Sequence, residues 1–348
     1  MGLGRTLLIR GLSLLLVVFA VLLMVVIVLG ATGVSDKILK AYVGEELRQI
    51  RQELSQRIRD PQELEKALEA YKLDLERAFG LDKPWYFRLP DMVRRVLLLD
   101  LGTSRTITSF SGSNKVSDII LERIPNTVIL VTVAVVLSAL VGISAGVKIA
   151  TRVGSLLDRI TSYFSAVSYA LPSWWTGIIF ILIFSFYFRL LPPGGMYSTP
   201  PPQEPLARLL DLMLHAVLPV LTLMAAILGG WIYVSRTIVL NVAQEDFVSA
   251  ARAKGLPERI VMRRYILRAS TPPILTNIVF GIAGSLGGAI LTETVFRWPG
   301  MGLLYYEAIT AFDEPLIIAL TFIFTLIYAA ARFILEILYV SLDPRVRY

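Results

Sequence analysis

The chain has 348 residues, of which 55% are hydrophobic and only 18% are charged, whereas an ordinary soluble domain is about 45–50% apolar and about 25% charged. Its 34 basic and 27 acidic residues give a formal charge of +7, which by itself could indicate nucleic-acid binding. The sequence contains no cysteine and a single histidine, His215. Disulfides, thiolate catalysis and metal sites built from several Cys or His residues are therefore excluded.

Apolar runs long enough to cross a membrane occur six times, since a hydrocarbon core of about 30 Å needs about 20 helical residues. Runs of this length indicate helices, because the strands of a membrane barrel alternate over about ten residues. We therefore predict an all-α polytopic membrane protein with six transmembrane helices. The runs are Leu7–Leu29, Ile124–Ala150, Tyr163–Tyr187, Leu212–Val234, Ile274–Phe296 and Leu316–Val340.

The first run could also be a secretory signal, because Arg5 and Arg10 precede its core and small residues follow it. Its apolar core is longer than the apolar h-region of a signal peptide, which has roughly 7–15 residues. We therefore expect residues 1–30 to form a retained first transmembrane helix.

The positions of Lys and Arg predict the orientation, because short cytoplasmic loops carry an excess of them. If both termini are cytoplasmic, the inner segments hold 14 basic residues and the two short outer loops hold three. The sequence thus predicts a multi-pass protein of the cell membrane with both termini in the cytoplasm. The basic surplus then reflects topology and contact with lipid, and no nucleic-acid partner is expected.

Residues 31–123 form a long polar segment, which this orientation places outside the cell. Apolar residues at helical spacing indicate one helix from Glu45 to Arg59, and Asp60-Pro61 is typical of the start of a second. Gly80 suits the end of that second helix. We expect an extracytoplasmic helical hairpin at about residues 45–80, acting either as a spacer or in docking a partner.

The cytoplasmic loop of residues 236–270 contains a short helical pattern between Glu245 and Pro257. Acids at its start and bases at its end suit the dipole of a helix, and Gly255 followed by Pro257 ends it. From charge alone, this loop could simply lie against lipid headgroups. A more specific pattern is also present. An acid is followed by a pair of small residues, and a Gly lies five residues after the first residue of that pair.

This pattern resembles the EAA loop of permease subunits of ATP-binding cassette (ABC) importers, in particular the B-type subunit of the dipeptide/oligopeptide branch. The run Ala251–Leu256 is typical of that branch, and similar blocks lie at residues 80–84, 100–104, 291–302 and 343–347. Tyr265 departs from the His of many members, and residues 31–123 are longer than usual. The resemblance implies the type I importer permease fold, with a helical insertion after the first helix and a five-helix permease core at residues 124–348.

In that family the EAA loop forms a coupling helix seated in a groove of an ATPase subunit. The resemblance implies a heterodimer with a second homologous permease subunit, two ATPase subunits and an extracytoplasmic substrate-binding protein. It also implies that ATP and Mg are bound by the ATPases, and that this chain holds no cofactor and catalyses no reaction. The residues matched to the coupling role are Glu245, Asp246, Ala250, Ala251, Arg252, Lys254 and Gly255.

Several other residues are candidates for the translocation path or its gate, each with static packing as the alternative. Small residues in the fifth span allow close helix approach, and the following outer loop resembles a re-entrant segment near the pore mouth. These candidates are Trp174, Trp175, Asn277, Gly281, Gly284, Gly288, Glu293, Trp298 and Pro299. His215 is expected to form an interfacial hydrogen bond, and Arg332 is expected to pair with Glu336 one helical turn away.

The expected function is import of di- or oligopeptides, driven by partner ATPases because no phosphate-binding G-x-x-x-x-G-K-[ST] loop occurs in the sequence. Oligosaccharides and nickel chelates are alternative substrates for the same architecture. An ion-coupled secondary transporter is disfavoured because the middle of each span lacks acids. A membrane-embedded enzyme is disfavoured because no nucleophile and base, or paired acids, lie at matching depth.

Overall fold

The computed structural model describes residues 3–342, and this part of the chain is predominantly helical. Among these residues, the only β pairing is an isolated antiparallel bridge between Thr103 and Lys115. The 343–347 block lies outside the described residues. The helices are α1 (Leu3–Ala31), α2 (Val34–Arg57), α3 (Pro61–Ala78), α4 (Leu89–Leu97), α5 (Val116–Ala150), α6 (Leu156–Ala170), α7 (Ser173–Tyr187), α8 (Pro205–Ala243), α9 (Asp246–Ala253), α10 (Glu258–Ser285), α11 (Ile290–Phe296), α12 (Met301–Thr310) and α13 (Glu314–Leu342).

Five helices of the described part are long and apolar enough to cross a membrane, namely α1, α5, α8, α10 and α13. The bent pair α6–α7 adds a sixth span when it is counted as one. The predicted all-α polytopic fold is thus confirmed, and the six expected spans match five helices and one bent pair.

Two predicted spans are interrupted. In the third, the axes of α6 and α7 meet at 98°, at Pro172, which disfavours helical geometry in the residue before it. In the fifth, α10 ends at Ser285 and α11 begins at Ile290. Gly288 lies between them with φ +82°, in the left-handed region that favours glycine.

The fourth span is longer than the apolar run Leu212–Val234, because α8 extends over Pro205–Ala243. Polar side chains in both extensions have partners within the chain. At one end, Ser198 donates from its backbone N and its Oγ to Asp211, at 2.8 and 2.7 Å. At the other, Arg236 contacts Asp158 of α6 through two hydrogen bonds of 2.7 and 3.1 Å.

Contacts divide the chain into two compact units. The first comprises the described residues up to Leu14, Ile120–Glu307 and those from Leu326 onward, and the second comprises Leu15–Ile119 and Ala308–Thr325. Both units join segments that are distant in sequence. The domains predicted from the sequence, residues 1–30, 31–123 and 124–348, were defined by chain order and not by contacts. They therefore stay a prediction.

In the first unit, α8 packs along α5 and α6 at positions where glycine lets the backbones approach. A Cβ at Gly229 of α8 would lie 2.8 Å from the backbone O of Ser165 in α6. Next to this contact, Ser168 Oγ donates to the carbonyl of Ala225 at 2.6 Å and accepts from Gly229 N at 3.1 Å. The serine thus joins α6 to the backbone of α8.

The predicted ion pair of Arg332 and Glu336 is confirmed, with Nη2 and Oε1 3.3 Å apart. Arg10 of α1 also contacts Glu336, so this carboxylate has basic partners on two helices. The side chain of Glu336 is only 9% exposed, and pairing offsets the cost of burying its charge.

In the second unit, α2 and α3 are adjacent helices with a break at residues 58–60. Asp60 Oδ1 accepts from Gln62 N at 2.9 Å, and Pro61 is the first residue of α3. Arg51 and Glu65 form an ion pair of 2.6 Å across the break. The first helix of this region begins at Val34 and not near Glu45, the start expected from the apolar pattern.

Two adjacent glycines of α8 provide a matched test of the α6–α8 contact. Alanine raises helix propensity by about 1 kcal/mol at either position. At Gly229 its Cβ would collide with α6, whereas at Gly230 the nearest neighbour would be Tyr169 at 3.8 Å. We expect Gly229→Ala to lower the Tm of the detergent-solubilised protein, since overpacking costs about 1–3 kcal/mol, and Gly230→Ala to maintain or raise it. Equal Tm values would contradict the close contact.

Candidate functional site

The short helix α9 lies between the long helices α8 and α10. Glu245 is its N-cap residue, and its first turn contains Asp246. At its end, Gly255 adopts φ +76° and donates from its backbone N to Arg252 O at 2.9 Å. The left-handed conformation explains why glycine suits this position, because a side chain would strain the backbone.

One face of α9 is packed into the protein. Val248 and Ala251, three residues apart, are 0% and 3% exposed. They belong to a buried cluster with residues of three long helices, which are Ala150 of α5, Val239 of α8, and Val261 and Ile266 of α10. The cluster thus joins α9 to the ends of all three helices.

The opposite face of α9 is exposed and carries mostly small side chains. Asp246, Ser249, Ala250 and Ala253 are exposed, and their spacing of three, four and seven residues places them on one side of the helix. Phe247 lies at the edge of this face and is 44% exposed. A surface of small side chains permits close approach by another protein.

Arg252 holds the end of α9 to the start of α10. Its Nη2 and Nε donate to Glu258 Oε1 and Oε2, at 2.8 and 3.2 Å. The hydrogen bonds from Arg252 to Glu258 raise the pKa of this guanidinium above its ordinary value. Arg252 thus has a partner within the chain. Of the other residues matched to the coupling role, Ala251 is buried. The exposed ones are Glu245, Asp246, Ala250, Lys254 and Gly255.

Glu293 lies in α11 with its side chain fully buried. Its Oε1 accepts from Ala289 N at 3.1 Å and from Thr127 Oγ1 at 3.3 Å. Its Oε2 accepts from Leu303 N at 2.9 Å. One carboxylate thus joins the break before α11, the first turns of α12 and helix α5.

The loop between α11 and α12 is fixed by Trp298 and Asn126. Trp298 is fully buried and donates from Nε1 to Asn126 O at 2.8 Å. In return, Asn126 Nδ2 donates to Pro299 O at 2.8 Å. Met301 N also donates to Thr127 Oγ1, at 2.6 Å, so the loop is bonded to α5 at several points.

Glycines make this close packing feasible. A Cβ at Gly300 would lie 2.5 Å from both Glu293 Oε2 and Thr127 Oγ1, and one at Gly288 would lie 2.8 Å from Glu293 Oε1. The loop therefore depends on the absence of side chains around the buried carboxylate.

Comparison with known proteins identifies the family. Residues 138–348 match the family described as "Binding-protein-dependent transport system inner membrane component". The chain belongs to this family. It is therefore a transport permease, a multi-pass component of the inner membrane, and its helical fold agrees with that membership.

The permease is similar over most of its length to curated relatives. It is 29% identical to the "Oligopeptide transport system permease protein AppB" of Bacillus subtilis (strain 168), over 94% of this chain and 97% of AppB. It is 31% identical to the "Di/tripeptide transport system permease protein DppB" of Pseudomonas aeruginosa (strain UCBPP-PA14), over 77% and 83% of the two chains. It is 30% identical to the "Probable D,D-dipeptide transport system permease protein DdpB" of Escherichia coli (strain K12), over 81% and 86%.

The remaining pore candidates of the permease occupy different environments. Trp174 and Trp175, in the first turn of α7, are 40% and 45% exposed. Asn277 and Gly284 are exposed and seven residues apart on one face of α10. A Cβ at Gly281 would lie 2.9 Å from the Trp231 ring, so this glycine lies in a helix contact.

Glu293 and Trp298 have no exposed surface in this chain, so they position the loop between α11 and α12 and do not themselves present a surface to a solute. His215 is also buried, with Nδ1 2.8 Å from Asp211 O in the preceding turn. Sequence reasoning missed Asn126 and Thr127. Pro125 precedes them, but no local pattern distinguishes them, because their partners lie more than 160 residues away.

The hydrogen bonds of Glu293 predict the effect of an isosteric change. In Glu293→Gln, an NH₂ group replaces one acceptor oxygen among N–H donors, which leaves buried groups unsatisfied at about 1–3 kcal/mol each. We expect a lower Tm and reduced transport. Glu69→Gln, on the exposed surface of α3, is the control and is expected to leave Tm unchanged. An unchanged Tm in Glu293→Gln would contradict the assigned bonds.

Proposed function

We propose that this permease forms the translocation path of an importer for di- and oligopeptides and couples it to ATPases through α9. The observation that carries the proposal is α9 itself, which presents an exposed face of small residues and is anchored by Val248 and Ala251 to three long helices. The relatives named for oligopeptide, di/tripeptide and D,D-dipeptide transport support a peptide substrate. Oligosaccharides and nickel chelates have no comparable support.

The proposed assembly contains a second homologous permease subunit, two ATPase subunits and an extracytoplasmic substrate-binding protein. ATP and Mg bind to the ATPases, and this chain contributes no catalytic group. Closure of the ATPases moves the two coupling helices, and each transmits the motion through its buried face to the membrane helices. The path thereby alternates between outward and inward access.

This mechanism requires α9 and both termini to lie in the cytoplasm. The excess of Lys and Arg in the inner segments, 14 against three in the short outer loops, supports that orientation. Half of those 14 residues lie in the loop that contains α9.

Asp246 and Ala250 of α9, and Lys254 directly after it, are proposed to contact the ATPase directly. Ala251 and Arg252 act inside the chain, by packing and by the ion pair with Glu258. Gly255 ends the helix in a conformation that favours glycine. Asn277, Gly284, Trp174 and Trp175 remain the candidates for contact with the path.

The peptide substrate is tested by uptake into proteoliposomes that contain the whole complex, its binding protein and internal ATP. We expect trialanine to be accumulated, and maltotriose and a nickel–histidine chelate not to be. Uptake of maltotriose or the chelate without trialanine would overturn the peptide assignment.

The coupling role is tested by Ala250→Trp, which adds a large side chain to the exposed face of α9. The matched control is Ala70→Trp, on the exposed surface of α3. We expect Ala250→Trp to lower co-purification of the ATPases and to reduce uptake at least tenfold, because the bulky ring prevents close approach. Ala70→Trp should retain the ATPases.

Both variants should keep the Tm of the parent protein, since neither site is buried. Normal ATPase binding and normal uptake in Ala250→Trp would contradict the coupling role of this face.

A further inference from the structure

Residues 85–99 of the second unit carry large apolar side chains that the described part of the chain leaves exposed. This segment 85–99 consists of the short turn Trp85–Phe87, Arg88, helix α4 and the two residues after α4. Its exposed apolar members are Tyr86, Phe87, Leu97, Leu98 and Leu99. Large apolar side chains grouped on a surface indicate contact with another protein or with a membrane.

Segment 85–99 lies at the end of a membrane-spanning helix. A Cβ at Gly30, the residue before the last of α1, would collide with the Trp85 ring. Arg88 also contacts Asp36, in the first turn of α2. Because α1 is long and apolar enough to cross a membrane up to Ala31, these contacts place the start of the segment at the edge of the hydrocarbon core. Trp and Tyr are enriched at this depth.

Leu99 has a backbone conformation that leucine rarely adopts. Its φ is +59°, in the left-handed region, where the Cβ of any residue other than glycine is crowded. Asp100 N donates to Arg95 O at 2.9 Å across this turn, which is one of the bonds of a Schellman helix end, where glycine is the usual residue. The side chain of Leu99 is nevertheless 63% exposed. Transfer of this side chain from water to an apolar phase would offset the backbone strain.

We propose that segment 85–99 is an interfacial anchor, which lies at the boundary between the headgroups and acyl chains of the bilayer beside the end of α1. Phe87, Leu98 and Leu99 enter the acyl region, and Tyr86 keeps its hydroxyl among the headgroups. The exposed guanidinium of Arg94 in α4 lies close to lipid phosphates. In the orientation proposed above, these lipids belong to the outer leaflet.

Continuity with the surface of α1 favours lipid over a protein partner. Met24, Ile27 and Val28 lie on one side of α1 and are 65%, 38% and 53% exposed. This apolar surface ends within one helical turn of Gly30, where Trp85 makes its contact. A bilayer covers the surface of α1 and the adjoining segment together, because it surrounds the end of a spanning helix at a single depth.

The anchor goes beyond the proposed transport function and requires only that α1 spans the membrane. Helices α2 and α3 lie between α1 and segment 85–99 in the chain. The anchor therefore attaches this helical pair to the bilayer at both of its ends and restricts how the pair can tilt over the membrane.

The test measures fluorescence quenching in proteoliposomes that contain the assembled complex. The chain has no cysteine, so Leu98→Cys provides a single site for a bimane label, and the parent complex treated in the same way gives the background of the other subunits. Leu73→Cys is the matched control, because Leu73 is a 49% exposed leucine between Lys72 and Asp74 of α3. The vesicles contain phosphatidylglycerol and phosphatidylcholine, the latter with or without bromine near the start of its acyl chains.

We expect brominated lipid to lower the fluorescence of the label at position 98 by about twofold or more, and aqueous iodide to leave it nearly unchanged. The label at position 73 should respond to iodide and not to brominated lipid.

A second variant, Leu99→Asp in the Leu98→Cys background, places a charge beside the label. Asp tolerates the left-handed backbone better than Leu does, so the Tm in detergent should be retained. We expect quenching by brominated lipid to fall by about half or more, because a carboxylate resists transfer into the acyl region.

Equal quenching by iodide at positions 98 and 73 would overturn the anchor. Protection of position 98 from both quenchers would also overturn it, because a protein partner would then cover the segment. If that protection requires addition of the substrate-binding protein, this subunit is the occupant instead of lipid. Unchanged lipid quenching in a folded Leu99→Asp variant would contradict the assigned depth of the leucines. None of these measurements depends on transport, so failure of the anchor leaves the proposed importer function standing.

Discussion

Every backbone N–H and C=O of a membrane-spanning chain needs a partner, and this need is greatest where a helix is interrupted. The permease meets it with buried carboxylates at three helix starts or breaks. Asp158 accepts from Gly154 N at 2.9 Å, Glu293 from Ala289 N and Leu303 N, and Asp313 from Arg105 N and Thr106 N. Each acid thus provides acceptors for backbone N–H groups next to a helix end or in a neighbouring loop.

These bonds determine which parts of the permease behave as rigid pieces. The Glu293 cluster fixes α11 and the start of α12 to α5, and the Asp158–Arg236 pair fixes the start of α6 to α8. The buried face of α9 then rests on the ends of α5, α8 and α10. In the proposed mechanism, a displacement of α9 acts on helices that are already joined.

The sequence predicted the spans and the short helix between α8 and α10 because both depend on local patterns. Six apolar runs lie close to the observed helices, and Gly255 and Asp60-Pro61 mark observed helix boundaries. The break in the fifth span was missed, as were the extensions of α8. Thr127 and Glu293 are 166 residues apart, and Ser104 and Asp313 are 209 apart. No local pattern encodes such pairings.

Burial alone did not show how the charge of each buried acid is compensated. Glu293 and Asp313 are both fully buried, and both oxygens of Glu293 accept hydrogen bonds. Glu314 is adjacent to Asp313 and is 2% exposed, yet its Oε2 has no hydrogen-bond partner. An acid whose acceptors are filled can only stabilise the chain, because a ligand would have to displace existing bonds. The charge of Glu314 is compensated instead by an ion pair, because its Oε2 lies 3.7 Å from Arg105 Nη1.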